Sequence, residues 1–247
     1  EPGSTMKPLT IAIALEKGAV KPDTNMVIGA KYLIGPKPIT DTHPYPSLTV
    51  AEVIQKSSNI GTSKLAMNMP ASEMWDLFTA VGFGQAPKVG FPGAVAGRVH
   101  PHQKWMPTDQ ARIAFGYGIS TSLFQMARAY TIFARDGELV PVTIEHSPDY
   151  KPGTRVISAK TAIEMRSMLE SVTEPGGTAL KAHAEGYRVG GKTGTAHKVA
   201  GKGYATNKYL AYFTGIAPMS APRIVVAVMV DEPTANGYYG GQVAAPI

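Results

Sequence analysis

Residues 4–17 carry apolar side chains at Leu9, Ile11, Ala12, Ile13, Ala14 and Leu15, so a helix over this stretch is apolar nearly all the way round. A surface helix shows one apolar stripe, whereas a helix without a polar face belongs at the centre of a fold. This segment therefore demands a chain long enough to wrap it, and 247 residues suffice for one large domain or two small ones. Pro8 is tolerated only in the first turns, where few backbone donors need partners. Gly18 is placed to end the helix in a left-handed conformation. Ser4 reads as the cap of this helix, and Lys7, three residues on, shares its face. A lysine that opens an all-apolar helix is not held there by solvent.

The remaining elements are read from period and punctuation. Residues 19–47 are rich in Pro, Gly, Asp and Thr and read as loops with one or two short strands. Thr49 and Glu52 have capping-box spacing before the apolar Val50, Val53 and Ile54. This helix breaks near Ser57-Ser58-Asn59, and helices are expected over 60–68 and 71–81, with Gly82 as a stop. Residues 83–107 have no firm period and read as a long loop, a kind of segment that often carries function. A short helix is expected at 108–115. A longer one runs to Arg135, capped by Ser120 or Thr121 and ended by Gly137. Leu139–Ile144, interrupted by Pro141, reads as an edge strand. Ser158 caps a helix to about Val172, and residues 174–178 form a turn. Three strands follow, over 187–199, 210–217 and 224–230. The last is almost wholly apolar and is expected to be central, with both faces covered. Short connections favour antiparallel pairing. The expected fold class is α+β, with helices clustered against an antiparallel meander.

Composition mainly excludes. An apolar fraction of 44% with 17% charged residues belongs to a folded chain, and the absence of cysteine removes disulfides, thiolate nucleophiles and thiolate metal ligands. The formal net charge of +6 is not gathered into a basic, aromatic-laced stretch, so no nucleic-acid partner is expected. His43, His100, His102, His146, His183 and His197 are scattered without the spacing of a metal site. No nucleotide or phosphate loop is present, and no cofactor is called for. No run of apolar residues is long enough to span a membrane. The chain opens at Glu1-Pro2-Gly3, directly against Ser4, which suggests a piece of a longer protein with any anchor upstream.

Three short motifs give the chain its chemistry. Ser4-Thr-Met-Lys7, Ser57-Ser-Asn59 and Lys192-Thr-Gly-Thr195 follow one another in the order Ser-x-x-Lys, Ser-x-Asn, Lys-Thr-Gly. A serine hydroxyl is a weak nucleophile until a base takes its proton. Lys7 is that base if burial and a nearby cation, for which Lys192 is the candidate, strip its charge. Ser57 is placed to relay a proton to a leaving nitrogen. Asn59 both donates and accepts, as the recognition of an amide requires. Glycines 190, 191 and 194 permit close approach of another backbone, and a peptide substrate would add to this strand by main-chain hydrogen bonds. The backbone N–H groups of Ser4 and Thr195 form the candidate oxyanion hole. Lys192, Thr193 and Thr195 form the candidate carboxylate site around Gly194. Tyr238, Tyr239 and Gly240 follow the last strand as a candidate rim of the cleft.

With these motifs in view, the chain resembles the transpeptidase domain of division-specific class B penicillin-binding proteins of Gram-negative bacteria. Glu1–Lys7, Lys56–Asn59, Phe115-Gly-Tyr-Gly118, Gly177-Thr-Ala179, Lys192–Ala196, Asp231-Glu-Pro233 and Tyr238-Tyr-Gly-Gly241 carry the resemblance across essentially the whole chain. It implies the penicillin-binding protein and serine β-lactamase fold, a five-stranded antiparallel sheet packed with helices on both faces, here incomplete because segments are missing at both ends. It implies a single domain over 1–247, with a helical part at 49–136 and a sheet part at 187–230 joined by the catalytic helix 4–17. It implies that Ser4 is acylated with Lys7 as its base, that D-alanine leaves a donor stem peptide, and that an acceptor amine resolves the acyl-enzyme. It implies that β-lactams acylate the same serine. Peptidoglycan stem peptides, the septal glycan polymerase and other division proteins are the implied partners. The implied location is the periplasmic face of the inner membrane, with an N-terminal anchoring helix outside this chain. A D,D-carboxypeptidase, a serine β-lactamase, or a non-catalytic protein that only binds β-lactams or stem peptides are the rival readings.

Overall fold

The computed structural model describes the whole chain except residues 91, 145–150, 202 and 236. His146 therefore lies outside the described residues. The chain begins with a 3₁₀ turn, Gly3–Met6, that runs directly into helix α1, Lys7–Glu16. Ser4 is thus inside the turn and caps nothing. The N-cap position of α1 belongs to Met6, with Pro8 in the first turn, where its missing N–H costs no hydrogen bond. Every residue of α1 from Lys7 to Leu15 is buried. Helices α2 (Val50–Gln55), α3 (Asn59–Met67), α4 (Ala71–Ala80) and α7 (Ala159–Ser171) pack around it. Truncating a fully buried side chain such as Leu9 would cost about 2–5 kcal/mol.

Local chemistry sets the helix boundaries. Thr49 and Glu52 form the capping box at the start of α2, and Ser158 caps α7 through the N–H of Thr161. Glu16 at the end of α1 accepts hydrogen bonds from the backbone and hydroxyl of Ser158, which ties α1 to the start of α7. Helix α5 spans Pro107–Ile113, and α6 spans Leu123–Ala134. The cap of α6 is Ser122, not Ser120 or Thr121, because only Ser122 stands three residues before Gln125, which bonds back to it.

Strands β1 (Asn25–Gly29) and β2 (Tyr45–Thr49) pair antiparallel, and β3 (Glu138–Leu139) and β4 (Thr154–Arg155) form a second small ladder. The edge strand expected over 139–144 is reduced to those first residues. The main sheet has the order β5 (Gly190–Ala200), β6 (Gly203–Ala217), β7 (Ile224–Asp231), antiparallel throughout. Strand β6 begins seven residues before the expected Leu210. Its first half is polar and exposed, and it is held in the sheet by pairing with β5 across a bulge between His197 and Val199.

Strand β7 is not central, contrary to the expectation from its composition. Among the described residues it pairs only with β6, and Ile224, Val226 and Met229 are exposed. Of its seven apolar residues Val225, Val228 and Val230 pack against the core, which α6 contributes to. Strand β6 is the central one, flanked by a partner on each side. A short helix, α8 (Gly240–Val243), packs against β5 and β6 and closes one side of the cleft described next.

Candidate active site

A cleft of about 550 Å³ lies between the α2–α3 junction, the 3₁₀ turn and strand β5. Its lining includes Ser4, Ser57, Asn59, Thr193, Gly194 and Thr195, together with Thr178, Tyr238, Tyr239 and Gly240. The three motifs, separated by up to 188 positions, therefore meet at one place. Lys7 and Lys192 are not part of this lining: both are fully buried beneath it.

The two lysines converge on one hydroxyl. Lys192 Nζ donates to Ser57 Oγ at 2.9 Å, and Lys7 Nζ approaches the same oxygen at 3.1 Å and the Ser57 carbonyl at 2.5 Å. Ser57 reaches this position with a left-handed backbone, φ +61°, a conformation that costs a residue other than glycine about 1–3 kcal/mol and recurs at functional sites. No hydrogen bond involves Ser4 Oγ among the described residues, so Lys7 is bonded to Ser57 and Ser4 keeps a free hydroxyl facing the cleft. The N–H of Ser4 lies in the first turn of a helical segment, where backbone donors have no acceptor within the helix.

Two buried ammonium groups cannot comfortably share one half-buried hydroxyl. Burial, then the charge of Lys192, push Lys7 well below its ordinary value, against a smaller opposing pull from Asp41. Lys7 is also the first residue of α1, where the helix dipole disfavours a cation. Burial pushes Lys192 down to about 7. Lys7 is thus lowered by burial and by the Lys192 charge together, Lys192 by burial.

The other walls are set by close packing and shared hydroxyls. A Cβ on Gly194 would stand 3.0 Å from the Pro2 carbonyl, so a side chain at this position would push β5 off the Ser4 turn. Thr193 Oγ1 lies 2.7 Å from Thr178 Oγ1, and Thr195 Oγ1 accepts from the Gly240 N–H at 3.0 Å. Asn59 donates through Nδ2 to the Thr40 carbonyl at 3.0 Å, which leaves its Oδ1 as an acceptor for the cleft. Tyr238 and Tyr239 stand at the rim, with Tyr238 stacked on Tyr209 at a centroid separation of 4.1 Å.

Sequence reasoning missed Asp41. Its carboxylate accepts from Ser58 Oγ at 2.5 Å and from the backbone N–H groups of Asn59 and Ile60 at 2.6 and 3.0 Å, which fixes the start of α3 and the turn that presents Ser57. Nothing in a loop seventeen residues upstream signals this contact. Thr178, Tyr117, His197 and Tyr209 also line the cleft without having been assigned a role. Thr178 and Tyr117 lay inside stretches that carried the family resemblance, and that was the only signal for them.

The whole chain, residues 1–247, matches the family description "Penicillin binding protein transpeptidase domain". It is 49% identical over its full length to a protein of Neisseria flavescens named probable peptidoglycan D,D-transpeptidase PenA, and the match covers 62% of that protein. It is 40% identical to the peptidoglycan D,D-transpeptidase FtsI of Escherichia coli K12, covering 42% of it. The chain thus spans between about two fifths and three fifths of the length of these relatives. The solved apo transpeptidase domain of Burkholderia pseudomallei penicillin-binding protein 3 superposes on the full chain with a TM-score of 0.95 at 55% identity, and 75% of that chain is covered.

Proposed function

The chain belongs to the penicillin-binding protein transpeptidase family, and from that premise we propose that it is a serine D,D-transpeptidase that cross-links peptidoglycan stem peptides at the division septum. The observation that carries this reading is the meeting of two buried lysines on Ser57 Oγ, directly beneath a cleft into which Ser4 presents an unbonded hydroxyl.

In this reading the donor peptide lies along β5 and its penultimate D-alanine carbonyl faces Ser4. Lys7, neutral, takes the proton as Ser4 Oγ attacks. The N–H groups of Ser4 and Thr195 hold the oxyanion. The C–N bond breaks as Ser57 passes its hydroxyl proton to the leaving nitrogen of D-alanine and takes one back from the Lys7 ammonium, which leaves Lys7 neutral again. Thr193 and Thr195 receive the donor's terminal carboxylate beside Gly194, and buried Lys192 supplies positive potential from below. Asn59 holds the substrate amide, and Tyr238, Tyr239 and Gly240 flank it. An acceptor amine then attacks the ester, gives its proton to Lys7, and leaves with the acyl group as a new amide while Ser4 is restored. A β-lactam enters the same way, but its leaving nitrogen stays attached, so the acceptor's place remains occupied. The whole protein would act at the periplasmic face of the inner membrane, with the septal glycan polymerase and other division proteins as partners.

The test is partitioning of the acyl-enzyme. With an ester donor ending in D-lactate and increasing concentrations of a D-amino acid amine, the expected product is the new amide, rising at the expense of the free acid. Release to water alone, whatever amine is added, would instead assign a carboxypeptidase.

A further inference from the structure

Beside the cleft, and sharing Tyr117 with it, opens a second groove of about 430 Å³. Arg98, Lys104 and Arg112 line it, and none of the three makes an ion pair among the described residues. The one acid in the lining, Asp109, is committed to the N–H of Met106 at 3.0 Å. The indole of Trp105 is held in place by its bond to the His100 carbonyl at 2.9 Å and gives the groove a fixed apolar wall. The partition between groove and cleft is equally well anchored: Glu1 Oε1 accepts from the Gly118 N–H at 2.8 Å and from the Tyr204 hydroxyl at 3.1 Å.

The two cavities are joined by a run of rings. Tyr117 meets Tyr204 edge-on at 5.8 Å, Tyr204 lies 6.3 Å from His197, His197 lies 4.8 Å from Tyr209, and Tyr209 stacks on Tyr238 at the cleft rim. A peptide lying in the groove would thus follow a continuous aromatic wall into the site.

We propose that this groove binds the carboxylates of the acceptor stem peptide and so aims its amine at the acyl-enzyme. The inference rests on the transpeptidase reading, in which the donor already occupies the length of β5. The second peptide must then arrive from another side, and its free carboxylates match guanidinium forks, which bind them with two parallel hydrogen bonds. Cations set in a groove with apolar walls attract such a ligand more strongly than the same cations on an open surface.

The test is direct binding, read by isothermal titration. A synthetic stem tripeptide with free carboxylates is compared with its fully amidated counterpart on the unmodified protein, on Arg98→Glu and on Arg112→Glu. The expected result is a loss of affinity of about tenfold or more on amidation and a similar loss in each variant, with penicillin acylation rates and melting temperatures near those of the parent. Equal affinity for the two peptides, no effect of either substitution, or no binding by the parent would overturn the proposal. The transfer reading fails separately. Binding through Arg98 and Arg112 by a protein that transfers nothing to amines would keep the carboxylate groove and sink the transferase. Normal transfer with indifferent binding would sink the groove alone.

Discussion

Lys192 and Lys198 lie on the same strand, β5, and meet opposite surroundings. Lys192 is fully buried with no carboxylate beside it among the described residues, and burial pushes its ammonium down to about 7. Lys198 sits among Glu232 at 2.7 Å and Asp231 at 2.9 Å, with Lys208 completing the cluster through Glu232 at 3.0 Å. The hydrogen bonds it donates to Glu232 and then Asp231 raise its pKa above the ordinary value. The second lysine is settled, since its charge is matched and solvent-screened. The first is held ready, paired with Lys7 across a serine hydroxyl instead of with an acid. Stability and reactivity are thus divided along one strand by whether an ammonium is given a counter-ion.

The largest expected effect comes from breaking the reactive end. Lys7→Met should slow acylation of Ser4 by a penicillin by about 10²–10⁴-fold, the scale of a lost general base. It should also raise the melting temperature, because an ammonium no longer has to be stripped of water. A slowing of less than tenfold, measured by stopped-flow or quenched mass spectrometry, would mean that another group takes the proton.

Next in size is the pH dependence carried by Lys192. Its folded pKa of about 7 lies below the roughly 10.4 of an unfolded chain, so between these values the unfolded state holds the extra proton. Stability from this group therefore rises as pH increases from about 7 towards 10.4. Acylation should fall on the alkaline side of about 7 as the charge beneath the proposed carboxylate site is lost. In Lys192→Met both trends should flatten, and acylation should drop by about 10²-fold. A variant that keeps the alkaline limb would assign it to a different group.

Asp41→Asn tests the support beneath the reactive pair. Losing charge-assisted bonds to two N–H groups and a hydroxyl should cost about 1–2 kcal/mol by chemical denaturation. Because Asp41 partly opposes the lowering of Lys7, its neutralisation should also move the acid limb of acylation to lower pH. At the settled end, Lys198→Ala should change the melting temperature by less than about 2 °C, and high salt should erase the difference. A loss of acylation in that variant would break the contrast between the two lysines.

How much of this could be read in the sequence follows from how local each feature is. The burial of α1 was legible because all-round apolarity leaves a helix no other place. The Thr49–Glu52 and Ser158 caps were legible because their partners lie three residues away. The cap of α6 was misplaced among consecutive Ser and Thr residues, where only the reach of Gln125 decides. Strand β7 was misread because an apolar composition states a need for burial but not which side of the sheet supplies it. The three motifs pointed to the chemistry, but not to the convergence of both lysines on Ser57 or to the role of Asp41. Those depend on contacts across 50, 135 and 17 positions. The resemblance identified Ser4 and Lys7 as partners, and the structure adds that Lys7 is bonded to Ser57 while Ser4 stays free.

The most direct measurement is intact-mass and peptide mass spectrometry after incubation with a penicillin, run on the parent and on Ser4→Ala. The account predicts one adduct per chain, located on Ser4 and absent from the variant. A folded parent that takes up no adduct, or an adduct that persists in Ser4→Ala, would contradict the assignment of Ser4 as the nucleophile activated by Lys7.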